Sequence, residues 1–200
     1  MKKIILFIIL SGGYSYGQIQ TPQPSPFSSI EQVIGLTDVK INYSRPAMRN
    51  RKIMGDLVPF GELWRAGANA NTTIEFSDDV IISGQNLSAG KYAIFIRPGV
   101  SMWEVFFYNK IGNGGLPGKW DTDAVAAVAE SSVISLAEEI ESFTISLDDL
   151  NQNGANLNFK WENTQAGLKL EVPTEQKTMA SIKKTMSGEP KSRDYYNAAI

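Results

Sequence analysis

The feature that most constrains this chain is a two-residue alternation of apolar and polar side chains that returns in five separate segments. Val39, Ile41 and Tyr43 alternate with Lys40, Asn42 and Ser44, and Ile74 and Phe76 with Thr73, Glu75 and Ser77. Phe143, Ile145 and Leu147 alternate with Thr144, Ser146 and Asp148. Leu157, Phe159 and Trp161 alternate with Asn158, Lys160 and Glu162, and Leu168, Leu170 and Val172 with Lys169 and Glu171. Successive strand side chains point to opposite faces, so each segment has one face for a core and one for water. That is the pattern of antiparallel sheets with one solvated face. Residues 92–96 and 103–108 are apolar on both faces, which predicts central or doubly covered strands.

Turn chemistry separates these runs. Residues 35–38, 83–86, 98–99 and 151–154 combine Gly with Pro, Asn, Asp or Ser and read as hairpins or short loops. The longest break, residues 110–119, holds Gly112, Gly114, Gly115, Gly118 and Pro117 and reads as a mobile surface loop. Alanines in residues 124–129 favour helix while Val125, Val128, Val133 and Ile134 favour strand; strand is adopted. The expected fold is an all-β antiparallel β-sandwich of about eight to ten strands over residues 30–173.

The two ends differ from this body. Met1, Lys2 and Lys3 precede seven apolar residues, Ile4 to Leu10, and Ser15 and Gly17 occupy small-residue positions. That layout predicts a signal peptide over residues 1–17, cleaved near Gly17, and an exported chain, periplasmic or secreted. The apolar run is far short of the ~20 residues of a spanning helix, so no membrane span is expected in the mature chain. Residues 18–29, with Pro22, Pro24 and Pro26, read as an extended leader. Over residues 174–200, Met179, Ile182 and Met186 follow helical spacing, Gly188 and Pro190 stop that helix, and Ser192 is placed to cap a second. This helical extension is expected to be incomplete at Ile200 and to offer a surface to a protein partner.

Nineteen basic against twenty-one acidic residues leave a net charge of −2, which argues against nucleic acid as a partner. The chain has no His and no Cys. Their absence excludes Ser-His-Asp and Cys-His nucleophiles, disulfides, iron–sulfur clusters and nearly every zinc or copper site. No metal or cofactor is therefore expected, and the available chemistry is that of carboxylates, amides, hydroxyls and guanidiniums.

Several segments together resemble the DUF2911 family. They are Gly35-Leu36-Thr37-Asp38, Tyr43-Ser44-Arg45-Pro46, Leu57-Val58-Pro59-Phe60-Gly61, the stretch Trp64-Arg65-Ala66-Gly67-Ala68-Asn69-Ala70-Asn71-Thr72-Thr73, Leu87-Ser88-Ala89-Gly90-Lys91-Tyr92 and Trp161-Glu162-Asn163-Thr164. The resemblance covers about residues 25–172. It implies an exported, β-rich domain of the kind common in Bacteroidetes-type bacteria, with no activity to carry over. It also implies that longer relatives continue into a helical, tetratricopeptide-like tail.

Candidate sites follow from residue type. Lys40, Arg45, Arg49, Arg51, Lys52 and Arg65 lie near one another in sequence against only Asp56 and Glu62. Guanidinium forks hold carboxylate or phosphate, so this stretch reads either as a site for an anionic ligand or as a solvated loop paired with the domain's own acids. Arg65, beside Asn69 and Asn71, reads as a hydrogen-bond hub or a ligand clamp. The turn at residues 67–73 brings amides and hydroxyls beside Trp64, which suits sugar hydroxyls on an aromatic plane; it also suits a turn held by Asn side chains. Trp103 and Trp161 are expected in the core, whereas Trp120, after the glycine loop, is expected exposed and is a second candidate for stacking.

Asp149, Asn151, Asn153 and Gly154 match the first half of a calcium loop, but the closing position holds Lys160, so a hairpin turn is the reading adopted. Ser181 and Lys184 match a nucleophile spacing without its supporting loops. For hydrolysis, Glu62, Glu104, Glu162, Asp121 and Asp123 are candidate carboxylates that no spacing pairs. The leading functional reading is a non-catalytic binding module for a glycan or other envelope component, using Trp64, Arg65, Asn69, Asn71, Arg45, Arg49 and Arg51. The alternatives are a carboxylate-dependent hydrolase and a scaffold that recruits a protein through its helical tail.

Overall fold

The computed structural model describes residues 21–199, so the signal peptide expected at residues 1–17 and the start of the leader lie outside the described residues. Nine strands follow in order: β1 (Phe27–Ile34), β2 (Thr37–Ser44), β3 (Thr73–Phe76), β4 (Val80–Ile82), β5 (Gln85–Leu87), β6 (Gly90–Pro98), β7 (Met102–Tyr108), β8 (Val125–Asn151) and β9 (Gly154–Glu171). β1 opens at Phe27, so the last three residues read as leader belong to the sheet. Residues 125–129 are strand, as adopted from the sequence, after a 3-10 turn at Thr122–Ala124.

Every pairing between strands is antiparallel, in the order β1-β2-β3-β6-β7-β8-β9-β4-β5. This is one continuous ladder; the two separate sheets of a sandwich do not appear in the strand order. The reason lies in β8, which runs for 27 residues. Its first part pairs with β7 and its later part with β9, with register shifts between Ser135 and Ile140 and between Ile140 and Thr144. Extra residues on one strand bend it and increase its twist, so the ladder turns a corner without being interrupted. The sheet therefore curls over its own apolar face. Val39 and Ile41 of β2 share one core with Phe143, Ile145, Leu157 and Phe159 of β8 and β9. At the seam, the Tyr43 hydroxyl accepts from the Ile145 N–H (3.1 Å) and donates to its carbonyl (3.4 Å).

β6 and β7 are covered on both faces, as their sequence predicts. Tyr92, Ile94, Ile96, Trp103, Val105 and Phe107 enter the main core, while Ala93, Phe95, Phe106 and Tyr108 form a second one outside. Trp120 covers this outer core. It stacks on Tyr108 with ring centroids 4.6 Å apart and meets Phe95 and Phe106 edge-on, each at 5.5 Å. The expectation of an exposed Trp120 is thus corrected: it is half-buried among aromatic rings that need a cover.

Helices α1 (Thr174–Met186) and α2 (Ser192–Ala198) follow the sheet, with no buried residue in either. The cap of α2 is Lys191, one residue before the expected Ser192, and its N–H donates to the Asp194 carboxylate (2.8 Å). α1 is held by polar links. Lys177 Nζ donates to the Leu36 carbonyl and to the Asp78 carboxylate (2.6 Å), which also accepts from Ser77 and Thr37 hydroxyls. The Lys177 ammonium, with those hydroxyls, outweighs burial and holds the Asp78 carboxyl below its ordinary value of 3.8. A lowered carboxyl stabilises the fold at pH above the unfolded value, and that stabilisation is lost as pH falls through the folded value. The NMR shifts of α1 amides should accordingly report loosening as pH drops below 3.8, and Asp78→Asn should abolish that transition.

Candidate functional site

The basic stretch begins just after β2, where Ala47 bridges to Ser142 of β8. Arg45 is spent on this junction: Nε donates to the Phe143 carbonyl (3.2 Å) and Nη2 to Thr144 Oγ1 (2.7 Å). Arg49 and Asn50 then take left-handed backbone, with φ of 52° and 59°. Such a turn costs energy in non-glycine residues and persists only when its surroundings fix it. Here the Met48 N–H donates to the Glu141 carbonyl (2.8 Å) and the Arg49 N–H to the Glu141 carboxylate (2.9 Å). Arg51 folds back onto the carbonyls of Met48 and Ala47 (2.9 and 2.7 Å), and Arg49 Nη2 reaches the Pro24 carbonyl (2.7 Å). Beyond the turn, the Ile53 and Met54 N–H groups donate to the Glu162 carboxylate (3.3 and 3.0 Å).

The loop is therefore held from several sides, with the Glu141 and Glu162 carboxylates on its backbone N–H groups, while its cationic side chains form no ion pair with a described acid. Among the described residues, the side-chain nitrogens of Arg45, Arg49, Arg51, Lys52 and Arg65 have no carboxylate oxygen within 4.0 Å. Cations on the strands behave differently: Lys40, Lys91, Arg97, Lys160 and Lys169 each pair with an acid. Hydrogen bonds to neutral carbonyls orient a guanidinium without cancelling its charge. Arg49, Arg51 and Lys52 are exposed, so they form a positively charged rim on a fixed turn.

In the segment at residues 64–71 the side chains of Trp64 and Asn71 turn inward, whereas Asn69 and Ala70 stay exposed. Trp64 exchanges both backbone hydrogen bonds with Ile96 (2.7 and 2.8 Å). Its ring stacks on Trp161 at 5.6 Å and 21°, meets Phe143 edge-on at 4.8 Å, and its indole N–H donates to the Gly67 carbonyl (3.2 Å). Asn69, with φ of 58°, donates its amide to the Ser25 carbonyl (3.1 Å) and Ser44 Oγ (3.2 Å). Arg65 Nη1 donates to the Asn69 carbonyl (3.0 Å) and lies against Gly115 of the glycine loop. Asn71 is buried, its amide nitrogen 3.5 Å from the Ile111 carbonyl and its Oδ1 without a partner. Trp64, Arg65, Asn69 and Asn71 thus do come together, as a joint between the chain before β1, the turn and the glycine loop. Of the binding residues named from sequence, Arg49, Arg51 and Asn69 are exposed, Arg45, Trp64 and Arg65 are half-buried and Asn71 is buried.

The candidate carboxylates do not converge. Glu104 pairs with Arg97 (2.9 Å), whose guanidinium lies 5.0 Å from the Phe106 ring centre. Asp121 pairs with Lys110 (2.5 Å), which with the Asp123 N–H holds its carboxyl below the usual range. Glu62 is exposed, and Glu162 anchors the loop. Among the described residues, no three acidic groups gather in a way that could hold a metal ion. The half-motif at residues 149–154 is the β8–β9 hairpin, with Asn151 Oδ1 accepting from the Asn153 N–H (2.9 Å).

One feature escaped sequence reasoning. A groove of about 890 Å³ runs between α1 and the turns that precede β4 and follow β5, lined by Asp78, Asp79, Leu87, Gln176 and Lys177. Its acids are engaged, Asp78 by Lys177 and Asp79 by the Ala89 N–H (2.8 Å). The Asp78–Lys177 contact spans 99 residues, and neither residue type nor local pattern signals it. Among the described residues, no helix is long and apolar enough to cross a membrane.

A family model described as "Protein of unknown function (DUF2911)" matches residues 25–170. No curated protein and no solved structure matches the chain.

Proposed function

The chain belongs to the DUF2911 family, whose function is unknown, and for this member we propose an exported, non-catalytic module that binds an anionic component of the cell envelope. The ligand class is a glycan bearing carboxylate or phosphate groups, held at the rim of Arg49, Arg51 and Lys52. One observation supports the reading: these exposed cations stand on a backbone fixed from several sides, and their side chains form no ion pair with an acid of the described residues. A preorganised cation spends little ordering entropy when an anion arrives, and planar guanidiniums match both oxygens of a carboxylate or phosphate. Stacking of a sugar on Trp64 is the weaker part of the glycan idea, because that ring already lies on Trp161. Hydrolysis is disfavoured by carboxylates that are separately engaged.

Isothermal titration with polygalacturonate tests the reading. The double variant Arg49→Gln and Lys52→Gln should weaken binding about tenfold or more, corresponding to about 1.4 kcal/mol. Affinity should also fall as salt rises, since the rim is exposed. Unchanged affinity in a folded double variant contradicts the proposal.

A further inference from the structure

The two edges of the sheet are finished differently. β5 is three residues long, with exposed Gln85 and Asn86. β1 runs for eight residues, FSSIEQVI, without the proline or lysine that commonly blunts an exposed edge.

The backbone groups that β1 presents follow from its hairpin. The two-residue connection makes Ile34 and Thr37 a pair that exchanges both hydrogen bonds, and such pairs alternate along an antiparallel ladder. Val33 and Asp38 are then an unbonded pair. In agreement, Asp38 turns its N–H to Ser77 Oγ (2.9 Å) and its carbonyl to the Ser77 N–H (3.0 Å), away from β1. The Pro26 carbonyl, accepting from the Arg45 N–H (2.9 Å), keeps the same phase at the other end. Phe27, Ser29, Glu31 and Val33 therefore direct N–H and C=O groups outward. Among the described residues, the hydrogen bond made to this edge is from the amide of Gln32 to the Val33 carbonyl (2.9 Å).

The geometry points to a second copy of this chain as the occupant of that edge, paired antiparallel about a two-fold axis between the two Ile30 residues. In this register Phe27 of each copy faces Val33 of the other, and Ser29 faces Glu31. Phe27 and Val33 are 69% and 59% exposed in the single chain, so each facing pair would cover apolar surface now in water. The four outward residues would supply about eight backbone hydrogen bonds, two for each facing pair. Neighbouring registers are worse. A shift one way sets Glu31 against Glu31, and a shift the other way sets Phe27 against Glu31. In the favoured register Glu31 keeps its own partner, Lys40 of β2. The strand is thus complementary to itself in one register.

Light scattering on the purified chain at high micromolar concentration should give twice the monomer mass. Ser29→Pro should give the monomer with an unchanged circular dichroism spectrum, because the N–H removed points away from β2. The protein has no cysteine, which supplies a second test independent of that variant. Ile30→Cys should form a disulfide-linked dimer under mild oxidation, since facing unbonded pairs have Cα atoms about 4.5 Å apart, within disulfide reach. Ser28→Cys, facing Gln32, should not. A monomer at every concentration, a Ser29→Pro dimer as stable as the parent, or equal cross-linking of the two cysteine variants overturns the inference.

Discussion

Trp161→Ala should lower the stability of the fold by about 3–5 kcal/mol, the usual cost of deleting a large buried aromatic. Trp161 is 1% exposed and sits where the curled sheet closes. Its ring lies under Trp64 at 5.6 Å and against Phe143 at 5.7 Å, and its N–H donates to the Glu141 carbonyl (3.2 Å). Alanine would leave a void beneath Trp64 and take one of two donors from the Glu141 carbonyl, which would keep the Met48 N–H. Against a typical total of about 5–15 kcal/mol, that loss brings the protein close to unfolding at room temperature. Urea denaturation measures it. Trp120→Ala, which strips a half-buried ring from the outer core, should cost clearly less. A Trp161→Ala loss below about 1 kcal/mol, outside the range for such deletions, would show that the seam does not depend on this stack.

Gly35→Ala should be the second most damaging single change proposed here, at about 2–4 kcal/mol from left-handed strain and overpacking together. Gly35 has φ of 57°, and a Cβ there would stand 2.3 Å from the Gln152 carbonyl and 1.9 Å from Thr174 Oγ1. Three parts meet at this point: the β1–β2 turn, the β8–β9 hairpin and the start of α1. Asparagine tolerates left-handed backbone but still brings a Cβ. Gly35→Asn should therefore remain destabilised by more than about 1 kcal/mol, the part due to crowding. Thermal unfolding of both variants separates the two causes. Full recovery with asparagine would mean that only the turn, and not the packing of the three parts, requires glycine.

Much of the sheet was legible because alternation is a local property. Every period-two run fell in a strand with its apolar members inward, the runs that begin at Leu157 and Leu168 sharing the one long strand β9, and the doubly apolar runs became β6 and β7 with a core on either side. The same observation could have placed Trp120: Phe95, Phe106 and Tyr108 on an outer face require a cover, and the nearest unassigned aromatic follows the glycine loop. What stayed hidden was non-local. Residues 136–143 contain no Gly or Pro to mark where β8 bends, so continuity of the ladder could not be told from two sheets. Of the site, the cation-rich stretch was visible, but its division was not. Arg45 and Arg65 are spent on carbonyl and hydroxyl oxygens, and bonds to distant backbone leave no trace in composition.

The claim that matters most is that recognition here is ionic and resides in the turn at residues 49–52. The most direct measurement titrates the protein, side by side, with neutral dextran and with dextran sulfate of the same length. The expected result is saturable binding of the charged polymer, weakened by added salt, and none of the neutral one. Equal binding of both, or of neither, would contradict it.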